Sequence, residues 1–276
     1  CADESSIALL LFLLNVVRQE PILIYVISRQ FEGKGIEAIQ NQAKQRFPER
    51  LTSIALEALP PEQSSRLLFS LLEIADFPEE FSNQVVQRSA GLPLYLEEIL
   101  RMLIDKEVVF QDDGTWKLKP GGEQDLMDIP LTIQGLILTR YDRLSRDEKK
   151  VMSSATVIGY QFQEELLAMI VSDIPVESRK GILQKLSEQA FILPEDNEPV
   201  LRYHFRHALV SDAIYSTILT MDRKRLHALV ADSIENLYQT QIDQQVEILA
   251  HHYSRSDRLD RALHYLILSG QKAARG

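Results

Sequence analysis

The chain has 276 residues, is 45% hydrophobic and contains one cysteine, Cys1, so a large core can form without disulfide staples; the six histidines lack the Cys or carboxylate spacing of a zinc site, and no metal is expected. A formal net charge of −10 argues against an extended polyanion-binding face, because nucleic-acid binding needs a clustered positive field to displace counterions. No apolar run approaches the roughly 18 uninterrupted residues of a membrane span, so the expectation is a cytoplasmic protein with neither anchor nor signal peptide.

Asp3-Glu4-Ser5-Ser6 reads as the capped start of an apolar helix to about Arg18. No initiating methionine precedes it, and the chain is expected to begin inside a domain. Pro21 opens the run Ile22-Leu23-Ile24-Tyr25-Val26-Ile27, whose β-branched content and lack of alternation predict a strand buried on both faces. Arg29 stands at its carboxyl end, where open parallel sheets bind ligands. Pro60-Pro61-Glu62 starts a helix through Leu67, Leu68, Leu71 and Leu72, and Pro78-Glu79-Glu80 starts another that stops at Gly91. Pro93 then opens a third through Leu94, Leu96, Ile99, Leu100 and Leu103. Residues 108–118 predict a hairpin with an Asp113-Gly114 turn, and 120–130 a polar loop.

Beyond the loop the pattern predicts a helix over 131–144, a capping box at Ser145 and Glu148 opening the next, and shorter helices over 163–171 and 176–187. Phe191-Ile192-Leu193 and Leu201-Arg202-Tyr203-His204-Phe205 then form a hairpin, which gives the order of a winged helix. Helical periodicity fills the remainder. Its last two helices are separated by Ser254-Arg255-Ser256-Asp257, and small residues Ala250, Ala262, Gly270 and Ala273 suit a tetratricopeptide-like pair.

Ala2-Asp3-Glu4-Ser5-Ser6 before an apolar helix, the strand ending in Arg29, and Gly91-Leu92-Pro93 before Leu94-Tyr95-Leu96-Glu97-Glu98 together resemble the signal-transduction ATPases with numerous domains, the AAA+-related group found behind bacterial cyclase and kinase modules. Phe205-Arg206-His207, Tyr215, Arg225-Leu226-His227, Ala250-His251-His252-Tyr253 and Ala262-Leu263-His264-Tyr265-Leu266 resemble the linker and repeat region of its cyclase-associated members. The resemblance implies a mostly α fold with minor β: residues 1–50 the rear of a P-loop α/β core, 51–107 a helical lid, 108–130 a hairpin and linker, 131–206 a winged-helix-like domain, and 207–276 a linker and the start of a TPR-like array. It also implies ATP and magnesium as cofactors of the intact protein, Arg29 as a sensor near the terminal phosphate, Gly91 and Pro93 as lid contacts to the nucleotide, and a protein partner on the repeats. Asp3 reads as a helix cap, and in the resemblance it stands at the tail of acidic motif B.

The chain lacks Gly-x-x-x-x-Gly-Lys-Ser/Thr, since Gly33-Lys34-Gly35 has the wrong spacing, so by itself it is expected neither to hold nucleotide tightly nor to hydrolyse ATP. Glu97-Glu98 read as a solvated helix face, and Arg140, Arg143, Arg146, Lys149 and Lys150 as a paired, solvated surface with Asp142, Asp147 and Glu148. The adjacent His251 and His252, and His204 with His207, read as packed histidines rather than a pH or metal site. The leading function is a regulatory ATPase switch. One alternative is a transcription regulator that reads DNA through Arg179, Lys180 and Lys185 on a recognition helix or through a lost terminal domain; another is a helical scaffold without nucleotide.

Overall fold

Apolar spacing decides where the helices fall. The computed structural model describes residues 4–16, 22–28, 34–72, 78–113, 115–195 and 200–274, and it is mostly helical with a few short strands. Asp3 and Arg29 lie outside the described residues. The chain divides into two units, Cys1–Glu57 and Ala58–Gly276.

In the first unit, α1 (Glu4–Val16) packs on α2 (Lys34–Arg46) through Leu14, Ile39 and Ala43, with Ile7, Leu10, Ile24 and Phe47 at the rim. The α2 helix was not among the predicted elements, although Ile36, Ile39 and Ala43 carry its stripe at i, i+3 and i+7. Residues 22–28 correct the predicted buried strand: they join no ladder, and Leu23 and Ile27 are 91% and 81% exposed. A strand buried on both faces needs neighbours to take its N–H and C=O groups. The described part of this unit holds no other strand, and of that run only Ile24 reaches the small core.

The second unit opens with α3 (Pro61–Leu72), α4 (Glu79–Ser89) and α5 (Pro93–Asp105), followed by the antiparallel pair β1 (Val109–Asp112) and β2 (Thr115–Leu118). Leu68, Phe81, Val85, Leu96, Ile99 and Val109 form its core. The expected polar loop over 120–130 contains a short helix, α6 (Glu123–Met127). Leu126 and Ile129, three apart, bury against that same core, and this contact gives the segment a reason to order.

A second core lies beyond. It is built by α7 (Ile133–Asp142), α8 (Arg146–Ile158), β3 (Gln161–Gln163), α9 (Glu164–Ile170), α10 (Val176–Glu188), β4 (Ile192–Glu195) and β5 (Arg202–Phe205), with antiparallel sheet order β3-β5-β4. At three residues, β3 is too short to show a period, and it was not predicted. Helices α11 (Ala208–Thr217), α12 (Thr220–Leu237), α13 (Val246–Ser254) and α14 (Leu259–Ala273) extend the same core through Ile214, Val230, Leu249 and Tyr253. The α7 helix is the wall between the cores, since Leu136 packs in the first and Ile137 in the second.

The capping box is formed as the spacing predicts: the Glu148 amide donates to Ser145 Oγ, and the Ser145 amide donates to Glu148 Oε2 at 2.8 Å. Ser145→Ala is expected to cost about 1 kcal/mol, read as a lower urea midpoint for loss of helical circular dichroism.

Candidate functional site

The α4–α5 turn is set by backbone conformation. Ala90 and Gly91 take φ of 50° and 72°, which ends α4, and Pro93 then supplies the first helical position of α5, where its missing N–H costs nothing. The Gly91 carbonyl accepts the Leu59 amide at 2.8 Å. A Cβ on Gly91 would fall 2.3 Å from the Leu59 carbonyl oxygen, so glycine is required by the close approach of residues 58–59. Leu92 and Pro93 are exposed, and no side chain caps the first turn of α5. Two expected site residues, Gly91 and Pro93, are thus brought together; Asp3 and Arg29 fall outside the described residues.

One turn further along α5 the side chains become ionic. Glu98 is 0% exposed, and its Oε2 accepts from Arg140 Nη1 at 2.7 Å. Asp105, at the end of the same helix, accepts from Arg140 Nε at 2.8 Å. The remaining face of the guanidinium is used as well, because Nη2 donates to the Gln189 carbonyl at 2.6 Å and the carbon lies 4.6 Å from the Phe191 ring centroid. Glu97 has its own partners: Arg101 Nη2 at 2.8 Å, Arg206 Nη2 at 2.6 Å and His207 Nε2 at 3.5 Å. Burial pushes the Glu97 carboxyl up, but the Arg101 hydrogen bond and the charges of Arg206, Arg101 and His207 outweigh it and hold the group below the usual carboxylate range.

Two expectations are corrected here. Glu97-Glu98 is not a solvated face, and Arg140 is not part of a paired surface, for both Glu98 and Arg140 are buried. The signal was present for Glu98: Tyr95, Glu98 and Met102 stand at i, i+3 and i+7, so Glu98 falls in the buried stripe of α5, while Asp105 reaches Arg140 from the exposed end of the helix. Arg140 likewise falls in the buried stripe of α7, with Leu136, Ile137 and Tyr141. On α10, Arg179 is 6% exposed and bound to Glu164 at 2.9 Å, Lys185 meets Glu148 at 2.7 Å, and Lys180 lies 3.5 Å from Glu177. Each of these three cations has a carboxylate partner.

Among the described residues no group of three or more His, Cys, Asp or Glu side chains has metal-holding geometry. His204 lies 3.3 Å from Glu195 and His207 lies near Glu97, so these two histidines serve different partners. No described helix is long and apolar enough to cross a membrane.

A family described as a domain of unknown function (DUF8739) matches residues 60–117, the stretch from α3 through the first hairpin. Over 275 residues, 99% of its length, the chain is 22% identical to the uncharacterized protein R02095 of Rhizobium meliloti (strain 1021). It spans 25% of that protein, so the relative is about four times as long.

Removing the guanidinium leaves Glu98 buried without its cation. Arg140→Ala is therefore expected to lower the unfolding free energy by about 3–5 kcal/mol, whereas Arg206→Ala, at a partly solvated pair, should cost under about 1 kcal/mol. Urea titrations of both variants check the contrast.

Proposed function

We propose that this chain is the regulatory portion of a multidomain signal-transduction ATPase, in which α5 reads nucleotide state and passes it to a winged-helix-like domain over 131–206. The observation that carries this reading is that one helix holds both ends of the relay. Gly91 and Pro93 lie at its start, and Glu97, Glu98 and Asp105 along it grip Arg140 and Arg206 of the following domain. A helix cannot shift its first turn without moving carboxylates fixed to the same rod.

In this reading ATP with magnesium is the cofactor of the intact cytoplasmic protein. The exposed edge of Leu92 and Pro93, beside an uncapped helix start, fits a flat base with polar edges. Gly91 shapes the turn rather than touching the ligand. The resemblance makes Arg29 the sensor residue of the intact ATPase module and Asp3 the tail of its acidic motif. The element order α8-β3-α9-α10-β4-β5 with sheet order β3-β5-β4 supports a winged helix. The α13–α14 pair, with Ala250 and Ala262 buried and Tyr253 stacked on Tyr265 at 5.5 Å, supports the start of a TPR-like array. Leu259, Leu263 and Leu266, exposed on α14, offer that array's apolar face to a protein partner or a further repeat.

A ligand shifts a two-state equilibrium only as far as its affinities for the states differ. In the full-length protein, ATP with magnesium at about 100 times its Kd is expected to stabilise the fold by about 2.7 kcal/mol, read as a raised Tm, and Pro93→Ala should reduce the nucleotide-dependent part alone. An unchanged Tm at millimolar ATP would leave the helical scaffold reading in its place.

A further inference from the structure

Away from α5, a cluster of titratable groups lies where α11, α12 and α13 meet. His227 and His252 face each other with their Nδ1 atoms 2.9 Å apart, and the Tyr215 hydroxyl lies 2.9 Å from His227 Nε2. Both imidazoles are buried. Arg223, one turn before His227, lays its guanidinium 4.5 Å over the Tyr215 ring and donates to the Ile218 carbonyl at 2.9 Å. Arg255, one turn after His251, sits with Nη1 3.0 Å from His251 Nδ1.

What the cluster lacks is an anion. Among the described residues neither Arg223 nor Arg255 has a carboxylate within ion-pair distance, and the Arg223 Nε is buried with no acceptor. Burial, and then the charges of His251, Arg255 and Arg223, lower His227 to about 4; burial, and then His227, His251 and Arg255, lower His252 to about 3. His251 is lowered for the same two reasons, burial and Arg255. The permanently charged neighbours acting on these rings are the cations Arg223 and Arg255. That field repels a metal ion and attracts a negative group.

We propose that Arg223, Arg255, His251 and the His227–His252 pair form a binding site for a phosphoryl dianion. Two guanidiniums balance its two charges and their forked N–H groups match its several oxygens; His251 and His252 can add donors through Nε2, their Nδ1 atoms being engaged by Arg255 and His227. Each arginine is already held in place, Arg223 on the Tyr215 ring and Arg255 on His251, so little side-chain entropy is lost on binding. An anion there favours the protonated imidazoles, and by linkage the histidine midpoints rise when it binds. This site is independent of the nucleotide reading at α5.

The test follows the histidine Cε1–H signals of the chain by NMR during titration with inorganic phosphate, with potassium chloride at matched ionic strength, and with phenyl phosphate. Phosphate is expected to give saturable shifts at His251 and His252 and to raise their pH midpoints, and chloride is not. Arg255→Gln, an exposed position, and Arg223→Gln should each weaken binding about tenfold, the scale of one charge-assisted hydrogen bond. Phenyl phosphate binding as well as the free ion gives the source as a phosphomonoester, and binding of inorganic phosphate alone gives the free ion. Chloride reproducing the phosphate shifts, or both variants binding phosphate like the native chain, overturns the site.

Discussion

Arg140 is the point on which the second unit turns. Its guanidinium is shared among Glu98, Asp105, the Gln189 carbonyl and the Phe191 ring, so a single side chain joins α5 to α7 and to the end of α10. A buried ion pair is poor evidence of net stability, since desolvation consumes much of the Coulomb gain. What it supplies is a fixed geometry. An apolar contact between α5 and α7 could slide by a turn at small cost, whereas moving α5 against Arg140 strands a charge in the core. Under the proposed function, this asymmetry suits the α5 carboxylates, rather than the apolar residues around them, to carry a signal.

Much of this architecture was legible before any coordinates. Pro61, Pro93, Gly91 and the Ser145–Glu148 box mark helix ends by backbone chemistry alone, and α3, α4, α5 and α8 fall where those residues place them. Elements whose order comes from distant partners were harder to read. The run over 22–28 has the composition of a buried strand but meets no ladder partner, so its hydrophobicity stays exposed. Segment 120–130 looked polar because two spaced residues, Leu126 and Ile129, carry its burial.

The candidate site was half visible. Gly91 and Pro93 announce themselves by residue type, but the ionic relay does not, because a glutamate pair on a helix is usually solvated. Only the position of Glu98 within the apolar stripe of α5 separates it from such a face, and reading that requires the burial side of the helix to be known. The anion-poor cluster of Arg223, His227, His252 and Arg255 is built from α12 and α13, whose pairing no local spacing reveals. The sequence shows His251 beside His252 but leaves His227 apart, and the meeting of His227 with His252 is a tertiary fact.

Coupling of the two cores through Arg140 is the central claim, and native-state hydrogen exchange in low urea tests it most directly. The slowest amides of α5 and of α8 should open with one common free energy in the native chain and separate into two in Arg140→Ala. Distinct opening energies in the native chain, or a common one that survives the substitution, would contradict the account.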